Sequence, residues 1–165
     1  MRTAEQLRYL VLAAQLEGRR QWSRALRPLG LTPSQAEVLR VLQDYGPASV
    51  GSVGALLVCE SGTNPSRLVD RLVDAGLVHR RADEGDARAV VLSLTPEGLS
   101  HASRVQELES AMYEHLDQVA GPDADAAIRF LRGYVEDTPV GQSFHRREVQ
   151  ISGTARGTSQ GVEPG

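Results

Sequence analysis

Between Ala4 and Leu29 apolar residues fall at Leu7, Val11, Ala14, Trp22, Ala25 and Leu29. Steps of mostly three or four predict an amphipathic helix, weakened in its middle by Gly18 and closed by Pro28 with Gly30. In the next stretch, "LTPSQAEVLRVLQDYGP", Thr32 can accept from free backbone N–H groups and Pro33 suits the first helical position. Gln35 can reach back to complete a capping box. Ala36, Leu39 and Leu42 form the stripe this helix buries, and Gly46-Pro47 stops it. A short helix follows, roughly Val50 to Val58, with Ser49 as its cap. Gly51 and Gly54 inside it each cost on the order of 1 kcal/mol relative to alanine.

The period changes within "ESGTNPSRLVDRLVDAGLVHRRADEGDARAVVLSLT", Glu60 to Thr95. A helix reaches about Ala75, with Gly76 just past its end. Its start is unusual, because Ser61-Gly62-Thr63-Asn64-Pro65-Ser66 is small, polar and broken by proline. With Ser61 as the cap, Pro65 would remove the first backbone bond; with Asn64 as the cap, it takes the favoured first position. An irregular first turn around Thr63 and Asn64 is expected. Two runs of β character, "LVHRRA" and "AVVLSLT", flank the polar Asp83–Arg88 segment and predict a β-hairpin. Thr95-Pro96-Glu97 starts another helix, with a seam at Leu99, Ala102, Val105, Leu108, Met112, Leu116 and Val119. Gly121-Pro122 breaks it, and Asp123 is expected to cap a last helix striped by Ala127, Leu131, Tyr134 and Val135. Beyond Asp137 the pattern dissolves. The end, "GTARGTSQGVEPG", is small, polar and glycine-rich, so residues 138–165 are expected to be a flexible tail.

The fold class these elements imply is mainly α with a small β-hairpin wing. Two short helices with a hairpin after the second make a winged helix-turn-helix, a unit that normally reads DNA with its second helix in the major groove. From Leu31 to Gly98 the chain resembles the MarR-type (multiple-antibiotic-resistance-type) transcription regulators. The likeness is carried by Leu31-Thr32, by "SRLVDRLVDAGLVHRRADEGDARAVVLSLTPEGL", and within it by Asp86-x-Arg88 followed seven residues later by Thr95. It implies a helical dimerisation region at 1–30 and 99–137 and a DNA-binding domain at 31–98. Departures from the family pattern are Pro65, where many members have an ordinary apolar residue, and Gly51 and Gly54 in the preceding helix.

On a helical wheel Pro65, Leu68, Val69 and Leu72 share one side, and Thr63, Arg67, Asp70, Arg71 and Asp74 the other. A helix entering a major groove N-terminus first needs small, hydrogen-bonding leading residues. Ser61, Thr63, Asn64 and Ser66 meet that need, with Arg67 and Arg71 behind them. Asparagine can pair with adenine and arginine with guanine. In the wing, the resemblance makes Arg88 the residue that enters the minor groove and Asp86 the one that orients it. Arg80 and Arg81 precede the wing as phosphate candidates.

Composition narrows this further. A length of 165 residues suits one domain without metal or disulfide. The single cysteine, Cys59, fits a reducing cytoplasm; a thiol near a helix start could serve as a redox sensor, but after Leu56-Leu57-Val58 it reads first as an inert buried thiol. No apolar run is long enough to span a membrane, and "MRTAEQLRYL" has no secretory h-region. A net charge of −3 excludes DNA binding by bulk charge, and between Ser61 and Thr95 five arginines face five acids, so recognition must be local. All 18 basic residues are arginine, which fits a coding bias, so no one arginine is evidence of a choice over lysine. Glu97 and His101 are spaced as half a metal site without further ligands, and no catalytic or phosphate-loop motif stands out. No metal, cofactor or enzymatic activity is expected. Expected partners are double-stranded DNA, a second copy of the chain, and a small aromatic or phenolic effector of the kind the family binds. Tyr9 and Trp22 are weak candidates to touch such an effector and read first as packing residues. The rival reading is a winged-helix module that binds protein without specific DNA recognition.

Overall fold

In the computed structural model, which describes residues 1–59, 64–82 and 90–157, the cap predicted at Thr32 is in place. Its hydroxyl accepts from the Gln35 backbone N–H at 3.3 Å, while its own N–H donates to Gln35 Oε1 at 2.9 Å. In chain order the elements are α1 (Thr3–Leu26), α2 (Pro33–Tyr45), β1 (Ala48–Ser49), α3 (Val50–Leu56) and α4 (Pro65–Asp74). Strands β2 (Val78–Ala82) and β3 (Val90–Leu94) follow, then α5 (Pro96–Ala120), α6 (Ala124–Val135) and α7 (Pro139–Gly157). The first helix leaves through a 3-10 turn at Arg27–Leu29.

Helix α2 is the centre. It is packed by α1, α3, α4, α5 and β3, and Val38, Leu39 and Val41 are fully buried. Because it is covered nearly all round, it also buries Glu37 and Arg40, which therefore need partners. Arg40 Nε donates to Glu109 on α5 at 2.9 Å, and Arg40 also contacts Asp44 and Gln43. Gln43 in turn donates to Ser103 at 3.3 Å. Polar bonds thus join the helix-turn-helix to the long helix behind it.

The hairpin is real and has a third strand. β3 pairs antiparallel with β2, from Val78 opposite Leu94 to Ala82 opposite Val90, and on its other edge with β1, Ala48 opposite Leu92. A two-residue strand is too short to show a period, so the sequence predicts only two strands. The root of the hairpin is closed by Thr95. Its hydroxyl donates to Gly76 O at 2.8 Å and accepts from Gly98 N–H at 2.9 Å, while its own N–H donates to Leu77 O. A Cβ at Gly98 would lie 1.9 Å from Leu77 O, so only glycine lets α5 start against that carbonyl.

Three expectations are corrected. Residues 139–157 form α7, not part of a flexible tail; residues 158–165 lie outside the described residues. Thr138 caps α7, accepting from Gly141 N–H at 3.1 Å and donating to Val135 O, and tertiary contacts with α3 and α6 supply what the polar sequence lacks. Asp123 makes no capping bond, because Gly121–Asp123 is a 3-10 turn that takes its place ahead of α6. Cys59 is exposed rather than buried; the core ends at Leu57. Along α5 the buried part of the seam is Ala102 and Val105, whereas Leu99, Leu116 and Val119 are exposed. Among the described residues, no helix is long and apolar enough to cross a membrane.

Gly98→Ala should destabilise the protein by about 1–3 kcal/mol or more, since a backbone carbonyl cannot step aside as a side chain can. Gly18→Ala, mid-helix with open space around it, should instead stabilise by up to about 1 kcal/mol. Equal midpoints for the two variants in urea would refute the close-approach argument. A second expectation concerns Tyr45, whose hydroxyl donates to Arg147 O at 3.4 Å. Burial raises its phenol above the ordinary value of 10, against an opposing pull from Arg147. The unfolded chain then ionises first, so this stability is complete below pH 10 and is lost as the pH rises through the folded value. Chemical denaturation across that window should show a fall in stability that Tyr45→Phe reduces.

Candidate nucleic-acid interface

Helix α4 is amphipathic in the way its spacing predicts. Val69 and Leu72 are fully buried and Leu68 and Val73 partly so, while Arg67, Asp70, Arg71 and Asp74 are exposed. Its first turn resolves the awkward start. Asn64 is the cap, its Oδ1 accepting from Ser66 N–H at 3.1 Å, and Pro65 occupies the first helical position. Asn64 and Ser66 are exposed at the leading end. Ser61 and Thr63 lie outside the described residues.

The two family departures in α3 and α4 meet. A Cβ on Gly54 would sit 2.7 Å from Pro65 Cγ and 3.2 Å from its Cβ. The proline ring at the start of α4 therefore packs onto α3 where α3 carries no side chain. That contact fixes how closely the two helices of the motif approach. Gly51, by comparison, meets only Ser49 Oγ at 3.8 Å.

Behind α4, Arg80 on β2 pairs with Asp70 on the exposed side of the helix at 2.8 Å. Both side chains are over a third exposed, so the pair adds only ~0–1 kcal/mol of stability. Its effect is geometric, tying the hairpin to α4. Arg81 lies one residue on, opposite Val91, and so points to the other face of the ribbon. Among the described residues, Arg67, Arg71 and Arg81 make no ion pair, which leaves three exposed guanidinium groups near α4 and β2. Asp86 and Arg88 belong to the segment between β2 and β3, outside the described residues.

Other sequence candidates do not assemble into sites. His101 Nδ1 lies 3.0 Å from Glu97 O on its own helix, and no cluster able to hold a metal occurs among the described residues. Trp22 packs against the core, while Tyr9 is half exposed some 13 residues earlier, ~20 Å along α1. One residue that sequence reading passes over stands out. Glu37 on α2 accepts from Val58 N–H at 2.8 Å and Cys59 N–H at 2.9 Å, one with each carboxylate oxygen, and from Arg147 on α7 at 2.9 Å. The available signal in the sequence is a carboxylate set between Ala36 and Val38-Leu39 in the most apolar part of this helix.

A MarR family model matches residues 29–89. A curated relative, the organic hydroperoxide resistance transcriptional regulator of Bacillus subtilis, is 32% identical over 98 residues, 59% of this chain and 66% of that protein. The chain spans less than two thirds of the length of the curated relatives it matches. Among solved structures, a mutant of MarR from E. coli complexed with operator DNA superposes with a TM-score of 0.65 at 24% identity, covering 78% of this chain and 92% of that one. An organohalide-sensing transcriptional regulator in its 2,4-dichlorophenol-bound form gives 0.66 at 17% identity, covering 82% of each chain. These two likenesses establish the fold.

Gly54→Ala should cost about 1–3 kcal/mol through the clash with Pro65. Pro65→Ala alone should cost less than about 1 kcal/mol, since the first helical position needs no donor. In the double variant the two effects should couple by at least about 0.5 kcal/mol. Simple additivity in thermal or urea denaturation would show that the glycine serves some other purpose.

Proposed function

We propose that the chain is a transcription regulator of the MarR type, as the family-model match over residues 29–89 and the curated relatives support, and that it is a sequence-specific DNA-binding repressor acting as a homodimer on a pseudo-palindromic operator. The carrying observation is α4, a helix with one buried apolar face, an exposed polar leading end at Asn64 and Ser66, and behind it arginines that make no ion pair among the described residues, braced by a hairpin through Arg80 and Asp70. Asn64 uses its carbonyl oxygen in the cap, so its amide N–H groups are what it offers a base acceptor. Arg67 and Arg71 are the side chains suited to guanine edges or phosphate. Arg80 is a brace first, and Arg81 is the better phosphate ligand of the two. Ser61 and Thr63, outside the described residues, are further polar candidates for DNA contact by residue type. Arg88 enters the minor groove, and Asp86 orients the wing.

The dimer reading rests on the apolar surface left by α1, α5 and α6. Leu10, Leu116, Val119, Ile128 and Tyr134 are each more than half exposed, and a stable interface buries ~1,200–2,000 Å². Two-fold symmetry then sets half-sites ~10 bp apart. A small aromatic effector, of the class that the organohalide-sensing relative holds as 2,4-dichlorophenol, acts by favouring a dimer whose reading helices no longer match that spacing.

The test is fluorescence anisotropy with duplex DNA from the intergenic region beside the gene, over a salt series, with Arg88→Ala in parallel. Wild-type binding should resist nonspecific competitor and weaken steeply with salt. Arg88→Ala should lose about 5- to 150-fold in affinity, the equivalent of ~1–3 kcal/mol. If a genome-wide selection with the purified protein also yields no preferred sequence, the protein-binding winged helix becomes the correct reading.

A further inference from the structure

We propose that Glu37 and Arg147 are positioning residues for DNA reading, through which the C-terminal helix α7 holds the turn that leads into the recognition helix. The inference deepens the DNA-binding reading above and rests on it. Val58 and Cys59 are the last residues before the connection to Asn64 and α4. They follow α3, whose final backbone groups have no partners within the helix. Glu37 reaches both of their N–H groups from α2, one per carboxylate oxygen, and is buried while doing so.

A buried carboxylate needs a countercharge, and α7 supplies it. Arg147 Nη1 donates to Glu37 Oε1 at 2.9 Å, the same oxygen that accepts from Val58. The neighbouring Arg146 donates through Nε to Ala55 O at 2.9 Å, a carbonyl in the last turn of α3, where a cation also suits the helix dipole. Arg146 is steadied by the buried Ser143 hydroxyl at 3.1 Å, and the Arg147 carbonyl accepts from Tyr45. Two consecutive arginines of α7 therefore grip both sides of one turn, one at a carbonyl before it and the other through the carboxylate that holds its amides. Gly54 against Pro65 fixes the packing of α3 on α4, and Glu37 fixes the backbone at Val58 and Cys59 as the chain leaves α3. Together they set where the leading end of α4 points.

Glu37→Gln is close to isosteric but has one acceptor oxygen. Its amide nitrogen must face either the Cys59 N–H or both the Val58 N–H and Arg147, so the three-way arrangement fails without loss of volume. Arg147→Met keeps the stem and removes the charge, and Arg147→Lys restores it. Each is made in the full chain and read in three ways: amide exchange by NMR without DNA, anisotropy with the intergenic duplex, and thermal midpoint. In Glu37→Gln and Arg147→Met, exchange at Val58 and Cys59 should quicken by about tenfold or more, while amides at the centre of α2 and in β3 stay unchanged. DNA affinity should fall about tenfold, and Arg147→Lys should recover most of it. Faster exchange with unchanged affinity would overturn the positioning role and leave the DNA reading intact. Unchanged exchange at Val58 and Cys59 would overturn the clamp itself. A wild-type protein that binds no DNA overturns the function and, with it, this role. Should Glu37→Gln fail to fold, the Arg147 pair carries the same comparison.

Discussion

A helix surrounded on nearly every side has to find a partner for each charge it carries, and in this chain that helix is α2. Glu37 and Arg40 are one turn apart on it, both buried. An ion left unpaired there would cost several kcal/mol, about what a buried charge loses when its partner is removed. Arg40 draws Glu109 on α5, and Glu37 draws Arg147 on α7 together with two backbone N–H groups. Such pairs add little net stability compared with a well-packed apolar set. What they specify is geometry. The apolar face of α5 can slide against α2 by part of a turn with little penalty, but a carboxylate 2.9 Å from a guanidinium cannot, and the Glu37–Arg147 pair ties α7 to α2 with the same precision.

How much of this is legible in the sequence depends on the range over which each constraint acts. Caps are local, so Thr32-Pro33 and Thr95-Pro96 announce α2 and α5, and Asn64-Pro65 announces α4 even though Ser61 offers an alternative cap. Thr138-Pro139 carries the same signal, and α7 is readable from it in principle. The low hydropathy of residues 140–157 obscures that signal, because α7 is held by arginines meeting a carbonyl and a carboxylate more than 90 residues away. Cys59 misleads for a related reason. The apolar run before it suggests burial, whereas the core stops at Leu57 and the next two residues turn their N–H groups inward and leave the thiol outside.

Two glycines show the same limit from the other side. In the sequence, Gly54 weakens a helix and Pro65 departs from the family pattern, and each looks like a defect. In the structure they are complementary, since the missing Cβ makes room for the ring. Gly98 belongs to a motif that the resemblance marks as specific, but its reason is the Leu77 carbonyl, 21 residues back in sequence and reachable only because the hairpin returns the chain to its own root. The position of the hairpin follows from alternating residues. The need for glycine at its base follows from closure, which no window of the sequence contains.

The charge on the candidate interface is also arranged more finely than its sum suggests. Five arginines and five acids between Ser61 and Thr95 cancel in sum, and a chain of net charge −3 has no long-range attraction for a polyanion. Cancellation, however, is not uniform in space. Asp70 is committed to Arg80, which leaves that pair neutral beside α4, while Arg67, Arg71 and Arg81 remain unpaired among the described residues. A duplex docked on this surface would meet cations where α4 and the outer face of the ribbon present them, and a neutral brace between. Binding then depends on alignment of a few groups rather than on general attraction. If α4 reads DNA as proposed, its placement matters more than the amount of positive charge, and the interactions that hold the turn before it would contribute to recognition.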